Sequence, residues 1–451
     1  MSTTSSLRAP DLGSAPTMTR RAWWLVALNV FVPGSAQILA GSRKLGRFAV
    51  VVTALLWTLA ILAFVLFFWF RELFLAAVTN AFVLAVIEVV LIAYVILWIV
   101  LAVDSLRLAQ VKRASVGARP FVVAFSLIAL VAYSGVAVAA VNIVDSARST
   151  ITEVFTSADY APPTDGRYNI LLLGGDAGPD RLGLRPDSIS IASVDAETGE
   201  TTLIGIPRNL EFIPFVEGSP LYQDFPSGYD CGDDCLISYL YTYGEEHPEL
   251  YPDAEANASS AGVEAMRDAV EGVTGLDLQY YVLIDMQGFD DLIDALGGVL
   301  INVTERQPIG GDEDQYGQPI NVDGWVEVGE RVLGGYEALW YARARHGSND
   351  YDRMLRQREV QEAILRQFEP ANILTKFRTV ADAGKQVVTT DIPSVMLGLF
   401  TELASGAQGF PIATLELSPP TIDVGNPDYE LIRELVAESV VGTPDAESES
   451  E

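Results

Sequence analysis

Residues 168–176 read Tyr168-Asn169-Ile170-Leu171-Leu172-Leu173-Gly174-Gly175-Asp176, an apolar, β-prone run closed by two glycines and an acid. A short continuous apolar run that stops at glycine is the pattern of a strand buried inside an α/β sheet. Outward from it, further β-rich runs at 188–194, 201–206, 280–284, 299–303 and 412–417 predict strands. Helical periodicity falls between and after them, at 259–273, 286–296, 335–342, 351–368 and 429–439. The class is α/β: a layered domain whose helices flank a central mixed sheet.

The ends of these strands carry the chemistry. Asp176 sits at the carboxyl end of its strand, where ligands of open α/β sheets gather. Arg185-Pro186-Asp187-Ser188 opens the next strand, so Asp176 and Asp187 meet at one end of the sheet. Two carboxylates there suit Mg²⁺, which takes one or two acids and completes its shell with water and substrate phosphates. Each acid is also what an ordinary turn or helix cap contains. Ile206-Pro207-Arg208-Asn209 places Arg208 at the end of the third strand.

A denser signal follows at Tyr341-Ala342-Arg343-Ala344-Arg345-His346 and Asp350-Tyr351-Asp352-Arg353-Met354-Leu355-Arg356-Gln357-Arg358, with five arginines in sixteen positions. Arg343 and Arg345 alternate as on one face of an extended segment, while Asp350, Arg353 and Gln357 share one helix face. Converging guanidinium forks match phosphate oxygens bidentately and form a clamp for a diphosphate. The alternative is a salt-bridged exposed helix in which Arg356 and Arg358 meet local acids; it is taken for Arg358 alone, outside the clamp, and set aside for the rest of the block.

That density stands against its background. Residues 145–451 hold eighteen Lys and Arg against fifty-five Asp and Glu, a formal charge of −37, whereas residues 1–144 hold eleven against four. A field of that sign repels nucleic acid, so a phosphate ligand needs a local concentration of arginine. Only His247 and His346 are present, and neither a Gly-x-Ser-x-Gly elbow nor a Gly-Lys-Ser phosphate loop occurs, which argues against a histidine triad or nucleotide hydrolysis.

The first third has another character. Stretches at about 46–70, 81–103 and 121–144 are long and apolar enough to span a bilayer. The loop 104–120 carries Arg107, Lys112, Arg113 and Arg119, which the positive-inside rule places in the cytoplasm. The third span then exits outward. Residues 22–40 are apolar but broken at Pro33-Gly34, with basic residues on both sides, and read as interfacial or re-entrant. Nothing before them resembles a cleavable signal, so the N-terminus is expected to be retained.

The organisation is therefore a cytoplasmic tail (1–21), a membrane region (22–144), a linker (145–165), a catalytic domain (166–440) and an acidic tail (441–451). Glu88 lies inside the second span, as a helix-helix partner or a snorkelling acid. With the domain outside the cell, Cys231 and Cys235 at i, i+4 are expected to form a disulfide contributing about 2 kcal/mol.

Taken in order, these motifs resemble the LytR-CpsA-Psr family of wall-assembly transferases: 169–176, Arg185-Pro186-Asp187-Ser188, Ile206-Pro207-Arg208, Met286-Gln287-Gly288-Phe289 with 294–299, and the arginine block from Tyr341 to Gln357. The likeness covers roughly 168–368. It implies a phosphotransferase that moves a glycopolymer from a polyprenyl diphosphate lipid to peptidoglycan through a phosphodiester. By position, Asp176 and Asp187 resemble the family's Mg²⁺ and diphosphate-site acids, and Arg185, Arg208, Arg343, Arg345 and Arg353, with Gln357, its phosphate-contacting set. The lipid tail is expected in an apolar cavity of the fold. Two departures stand out: Asn209 replaces the family's usual Asp, and several spans replace the usual single anchor. A lipid-diphosphate hydrolase and a non-catalytic glycan sensor or scaffold are the competing readings.

Overall fold

The computed structural model describes residues 10–78, 80–155, 160–176, 185–232, 235–315, 318–344, 349–367 and 388–441. The chain divides into two units, Met1–Ser149 and Thr150–Glu451.

In the first unit, uninterrupted apolar sequence runs on as helix until a breaker stops it. The helices are α1 (Ala15–Phe31), α2 (Ser35–Ala40), α3 (Arg43–Trp69), α4 (Arg71–Val78), α5 (Ala81–Ala109) and α6 (Arg119–Val154). Three segments, Arg43–Trp69, Ala81–Arg113 and Arg119–Ser149, are long and apolar enough to cross a membrane. Their Trp57, Ile61 and Val131 side chains are exposed, as lipid-facing residues are.

The segment 22–40 is broken as expected, with Gly34 at φ 92° between α1 and α2. It is tied to the last turns of α5: Arg21 Nη1 donates to the Leu108 carbonyl at 2.6 Å and Gln37 Nε2 to that of Leu101 at 2.9 Å. A Cβ on Gly34 would come within 2.6 Å of the Gly46 carbonyl oxygen, so the approach of this turn to α3 needs glycine. Glu88 is an interhelical partner, its Oε2 3.3 Å from Arg148 Nε. One boundary is corrected. Residues 145–154 continue α6 rather than beginning a linker, because no helix breaker intervenes before Pro162 and Arg148 is held by Glu88 and Asp145.

The described residues of the second unit include the strands β1 (Arg167–Asp176), β2 (Arg185–Asp195), β3 (Thr201–Ile206), β4 (Tyr280–Asp285), β5 (Val299–Val303), β6 (Gln307–Ile309), β7 (Asp312–Glu313), β8 (Pro319–Ile320), β9 (Gly324–Val326), β10 (Gly329–Leu333), β11 (Val388–Thr390) and β12 (Ala413–Glu416). The central sheet has the order β11-β4-β1-β2-β3-β12. β4 runs parallel to β1 and β12 parallel to β3, the other pairs being antiparallel, so the sheet is mixed. The carboxyl ends of β1, β3, β4 and β12 and the start of β2 therefore share one edge. β5 lies outside this sheet and pairs with β10 in a two-stranded ribbon. Its alternating burial shows why: only one of its faces is covered.

The helices of this unit are α7 (Leu240–Glu246), α8 (Ala261–Thr274), α9 (Met286–Leu296), α10 (Gly335–Arg343), α11 (Asp350–Arg366), α12 (Leu397–Ala407) and α13 (Tyr429–Val440). α8 begins where Ser260 Oγ accepts from the Val263 amide and ends at Gly275 in the left-handed region. Its Val263, Met266, Val270 and Val273 recur at helical spacing and are buried against Leu171, Leu173, Ile189, Ile191 and Ile204 of the sheet. Met266→Ala would cost about 2 to 5 kcal/mol there. On the opposite face Ile170, Leu172 and Val282 are only half-buried. A second lobe packs Ile293, Val299, Ile301, Val303, Tyr341 and Val360 together.

Candidate functional site

At the carboxyl edge the β1–β2 register slips. Gly174 pairs with Ser188 and Gly175 with Pro186, which leaves Asp187 as the extra residue of a β-bulge. Bulges re-aim side chains, and this one brings the Asp187 carboxylate to Arg208, just beyond β3, with Oδ1 2.6 Å from Nη1. Arg208 Nε also donates to Asp350 Oδ2 at 3.2 Å. Asp350 in turn holds Arg353, whose Nη2 lies 3.0 Å from Oδ1. Arg353 Nη2 further reaches the Asp187 carbonyl at 3.5 Å, and the side chain is 2% exposed. Two arginines and two carboxylates from β2, the β3 end and the start of α11 thus converge. Burial lowers the Arg208 pKa, and Asp187 and Asp350 raise it by more, so the guanidinium titrates above its ordinary range.

Local sequence sets this geometry. Asn349 caps α11, accepting from the Tyr351 and Asp352 amides at 2.8 and 2.9 Å, and Asp352 returns the contact by accepting from the Asn349 amide at 3.0 Å. That capping box consumes Asp352 and fixes the first turn, so Asp350 meets the arginines. Farther along α11, Arg356 donates from Nε to the Tyr341 carbonyl at 2.9 Å and from Nη2 to that of Ala344. Gln357 Nε2 reaches the Ala342 carbonyl at 3.4 Å. These bonds satisfy the last carbonyls of α10 and position its exposed end residue, Arg343. Burial pulls the Arg356 pKa below its ordinary value.

The predicted set is thus sorted. Asp187, Arg208 and Arg353 come together. Arg185 stands exposed, its guanidinium carbon 4.6 Å above the Tyr239 ring, and its backbone pairs with that of Asp176 at the end of β1. Arg343 belongs to the last turn of α10, not to an extended segment, because the helix opened at Gly335 runs on through it. Arg345 and His346 lie outside the described residues. Gln357 and Arg356 donate to the backbone carbonyls at the end of α10.

Arg358 is corrected most. It is buried, with Nε 2.7 Å from Glu416 Oε1 at the end of β12 and Nη1 on Gln361. This pair occupies the space that a Cβ on Gly205 would need. Asp350 was missed as a site residue, although its i, i+3 relation to Arg353 was visible. Cys231 and Cys235 are disulfide-bonded.

Among the described residues no group of three or more His, Cys, Asp or Glu is arranged to hold a metal. Of the two acids expected at a Mg²⁺ site, Asp187 offers hard oxygens at the start of β2, while Asp176 ends the adjacent strand with its side chain outside the described residues.

A model of the LytR_cpsA_psr family matches residues 131–437, more than half of the chain. The chain belongs to that family. Among LytR_cpsA_psr relatives, it is 27% identical over 335 residues to the cell wall biosynthesis protein LcpA of Corynebacterium glutamicum, covering 68% of this chain and 61% of LcpA. It is 26% identical over 269 residues to the polyisoprenyl-teichoic acid--peptidoglycan teichoic acid transferase TagU of Halalkalibacterium halodurans, covering 59% of this chain and 74% of TagU. The chain therefore spans about three fifths of LcpA's length. The crystal structure of B. subtilis TagV shares 22% identity, covering 62% of this chain and all of that one, at a TM-score of 0.42. In this LytR_cpsA_psr chain Asn209 follows the site arginine, and its Oδ1 is buried with no hydrogen-bond partner among the described residues.

Proposed function

We propose that this chain is a membrane-anchored phosphotransferase that moves a glycopolymer from a polyprenyl diphosphate carrier onto peptidoglycan. The observation that carries the reading is the Arg208–Asp187 and Arg353–Asp350 cluster at the carboxyl edge of the sheet. Two arginines held by two half-exposed carboxylates are poised to exchange those anions for the two phosphoryl groups of a diphosphate. The names of TagU and LcpA agree with such chemistry.

In the reaction, an acceptor sugar hydroxyl gives up its proton, which ends on water or the departing phosphate, and its oxygen bonds to the glycan-linked phosphorus. The bond from that phosphorus to the bridging oxygen breaks, and polyprenyl monophosphate leaves. Arg208 and Arg353 neutralise charge on the phosphoryl oxygens and hold the diphosphate in line, with Arg185, Arg343 and Arg345 completing the set. Asp176 and Asp187 would hold Mg²⁺, which would supply further neutralisation of the phosphate charge. The half-buried apolar face at Ile170, Leu172 and Val282 receives the lipid tail. No nucleotide is consumed, since the diphosphate link stores the driving force.

The topology completes the proposal: multiple spans, the Lys112–Arg113 loop in the cytoplasm, and the domain outside, where anchor and lipid substrate share one surface. The test is transfer of radiolabelled glycan from lipid diphosphate to peptidoglycan by the full-length chain. Wall-bound label is expected. Free glycan phosphate would identify a hydrolase instead, and intact substrate a sensor.

A further inference from the structure

The second unit contains only two tryptophans, Trp325 and Trp340, and each carries an arginine over its ring. The Arg306 guanidinium carbon is 3.7 Å from the Trp325 centroid, and that of Arg343 is 5.6 Å from the Trp340 centroid. Between residues 286 and 343 the only basic residues are Arg306, Arg331 and Arg343, so two of three stack on indole amid many acids. Both tryptophans are half-buried rather than sealed in the core. Arg306 also lies 3.9 Å from Glu327 at the surface.

The two stacks occupy neighbouring elements. Trp325 on β9 pairs with Pro308 on β6, and β6 lies against α10, which bears Trp340. One helical turn before Trp340, Tyr336 is 51% exposed, its ring centroid 6.3 Å from that of Trp340 in an edge-on contact. Tyr336, Trp340 and Arg343 therefore share one face of α10 at i, i+4 and i+7.

An arginine over an aromatic ring is a common surface contact and by itself marks nothing. Here the pairing recurs at every tryptophan of the unit, leaves the rings accessible, and supplies positive charge where the domain is otherwise acidic. Indole faces stack on the apolar C–H faces of sugar rings, and guanidinium forks take the phosphates or carboxylates that such sugars carry.

We propose that Tyr336, Trp340 and Arg343 with Trp325 and Arg306 form a platform that binds the glycan of the donor, an anionic sugar chain leading away from the diphosphate. The assignment to the donor rests on the function proposed above: Arg343 belongs to the diphosphate set, so the sugars nearest the platform are those joined to that diphosphate.

The test uses the full-length chain in detergent and four probes: polyprenyl diphosphate alone, the same lipid bearing an extended anionic oligosaccharide, the free anionic oligosaccharide, and a peptidoglycan tetrasaccharide. Trp325→Ala and Arg306→Ala should each weaken the two oligosaccharide probes by about tenfold and leave bare polyprenyl diphosphate unchanged. Trp325→Phe keeps an aromatic face and should retain most of the affinity, which separates lost stacking from misfolding. Arg306→Ala should spare a neutral oligosaccharide of equal length.

Wild-type affinity for the extended donor in Trp325→Ala overturns the platform, as does weakening confined to the peptidoglycan fragment. Should the wild-type chain bind neither lipid probe yet hold the free oligosaccharide through Trp325, the diphosphate reading falls and the platform stands.

Discussion

Both ends of the central sheet hold arginine against carboxylate, but they are built differently. At the amino end of β4, Arg267 donates to Asp391 Oδ2 at 2.6 Å and to the Leu278 carbonyl at 2.8 Å, while Asp391 Oδ1 accepts from the Tyr281 amide at 2.7 Å. Both side chains are 13% exposed, and backbone groups of the strand are among their partners. At the carboxyl end, Arg208 and Asp187 are 31% and 29% exposed, and the guanidinium meets two carboxylates. An arginine bonded into the backbone is part of the fold. One held by accessible carboxylates can trade them for a ligand at little structural cost.

The comparison breaks first, and by the largest effect, at the amino end. Arg267→Ala leaves Asp391 buried without its cation and should lower stability by about 3 to 5 kcal/mol in chemical denaturation. Arg358→Ala should behave the same way despite lying at the carboxyl end, because Glu416 is left in a buried site. A stability loss below about 1 kcal/mol in either variant would mean that burial does not separate the two classes of arginine.

Next in size is a pH effect near Arg267. Burial lifts the Glu271 carboxyl from 4.5 to about 7, with Asp268 and Asp277 adding to the shift. Because the folded state then holds the proton more tightly than the unfolded chain, stability should fall as pH rises from about 4.5 to 7 and level off above, by roughly 3 kcal/mol. Glu271→Gln should flatten the profile without touching transfer. A melting curve series across that range decides it.

At the carboxyl end the expected effect moves from stability to activity. Arg208→Ala should reduce transfer by about 10- to 150-fold, the loss of charge-assisted bonds of roughly 1.5 to 3 kcal/mol, with stability changed by less than about 1 kcal/mol. Arg208→Lys should rescue only partly, since a point charge cannot reproduce the fork. Full activity in Arg208→Lys would show that net charge alone suffices.

The smallest effect concerns the Cys231–Cys235 loop, which precedes Ser238, whose amide donates to the Arg208 carbonyl, and Tyr239, which lies under Arg185. Reduction should cost up to about 2 kcal/mol on the chain-entropy model and lower transfer before it affects amide exchange around Arg267. Equal loosening at both ends would erase the distinction.

Much of this was legible in the amino acids. The β1 run, the exact span of α9 and the three long apolar helices follow from periodicity and length, which are local properties. β11 and β7 were not, because strands of two or three residues carry no alternation to detect. The arginine block was visible as a cluster, but the roles within it were not. Arg353, Arg356 and Arg358 are all nearly buried, and what differs among them is whether an acid at the start of their own helix, the carbonyls at the end of α10 or an acid at the end of β12 is the partner.

By itself, then, the sequence determined a first third whose helices are long and apolar enough to cross a membrane, an α/β second part, and a concentration of guanidinium in an acidic domain. Tertiary structure alone decided that a bulge at Gly174–Gly175 turns Asp187 toward Arg208, that Asp350 joins two arginines, and that Arg358 is sealed over Gly205. The reason is physical: helix and strand follow from spacing along the chain, whereas the partner of a charged side chain is set by which distant backbone packing brings near it and by how much water is left there.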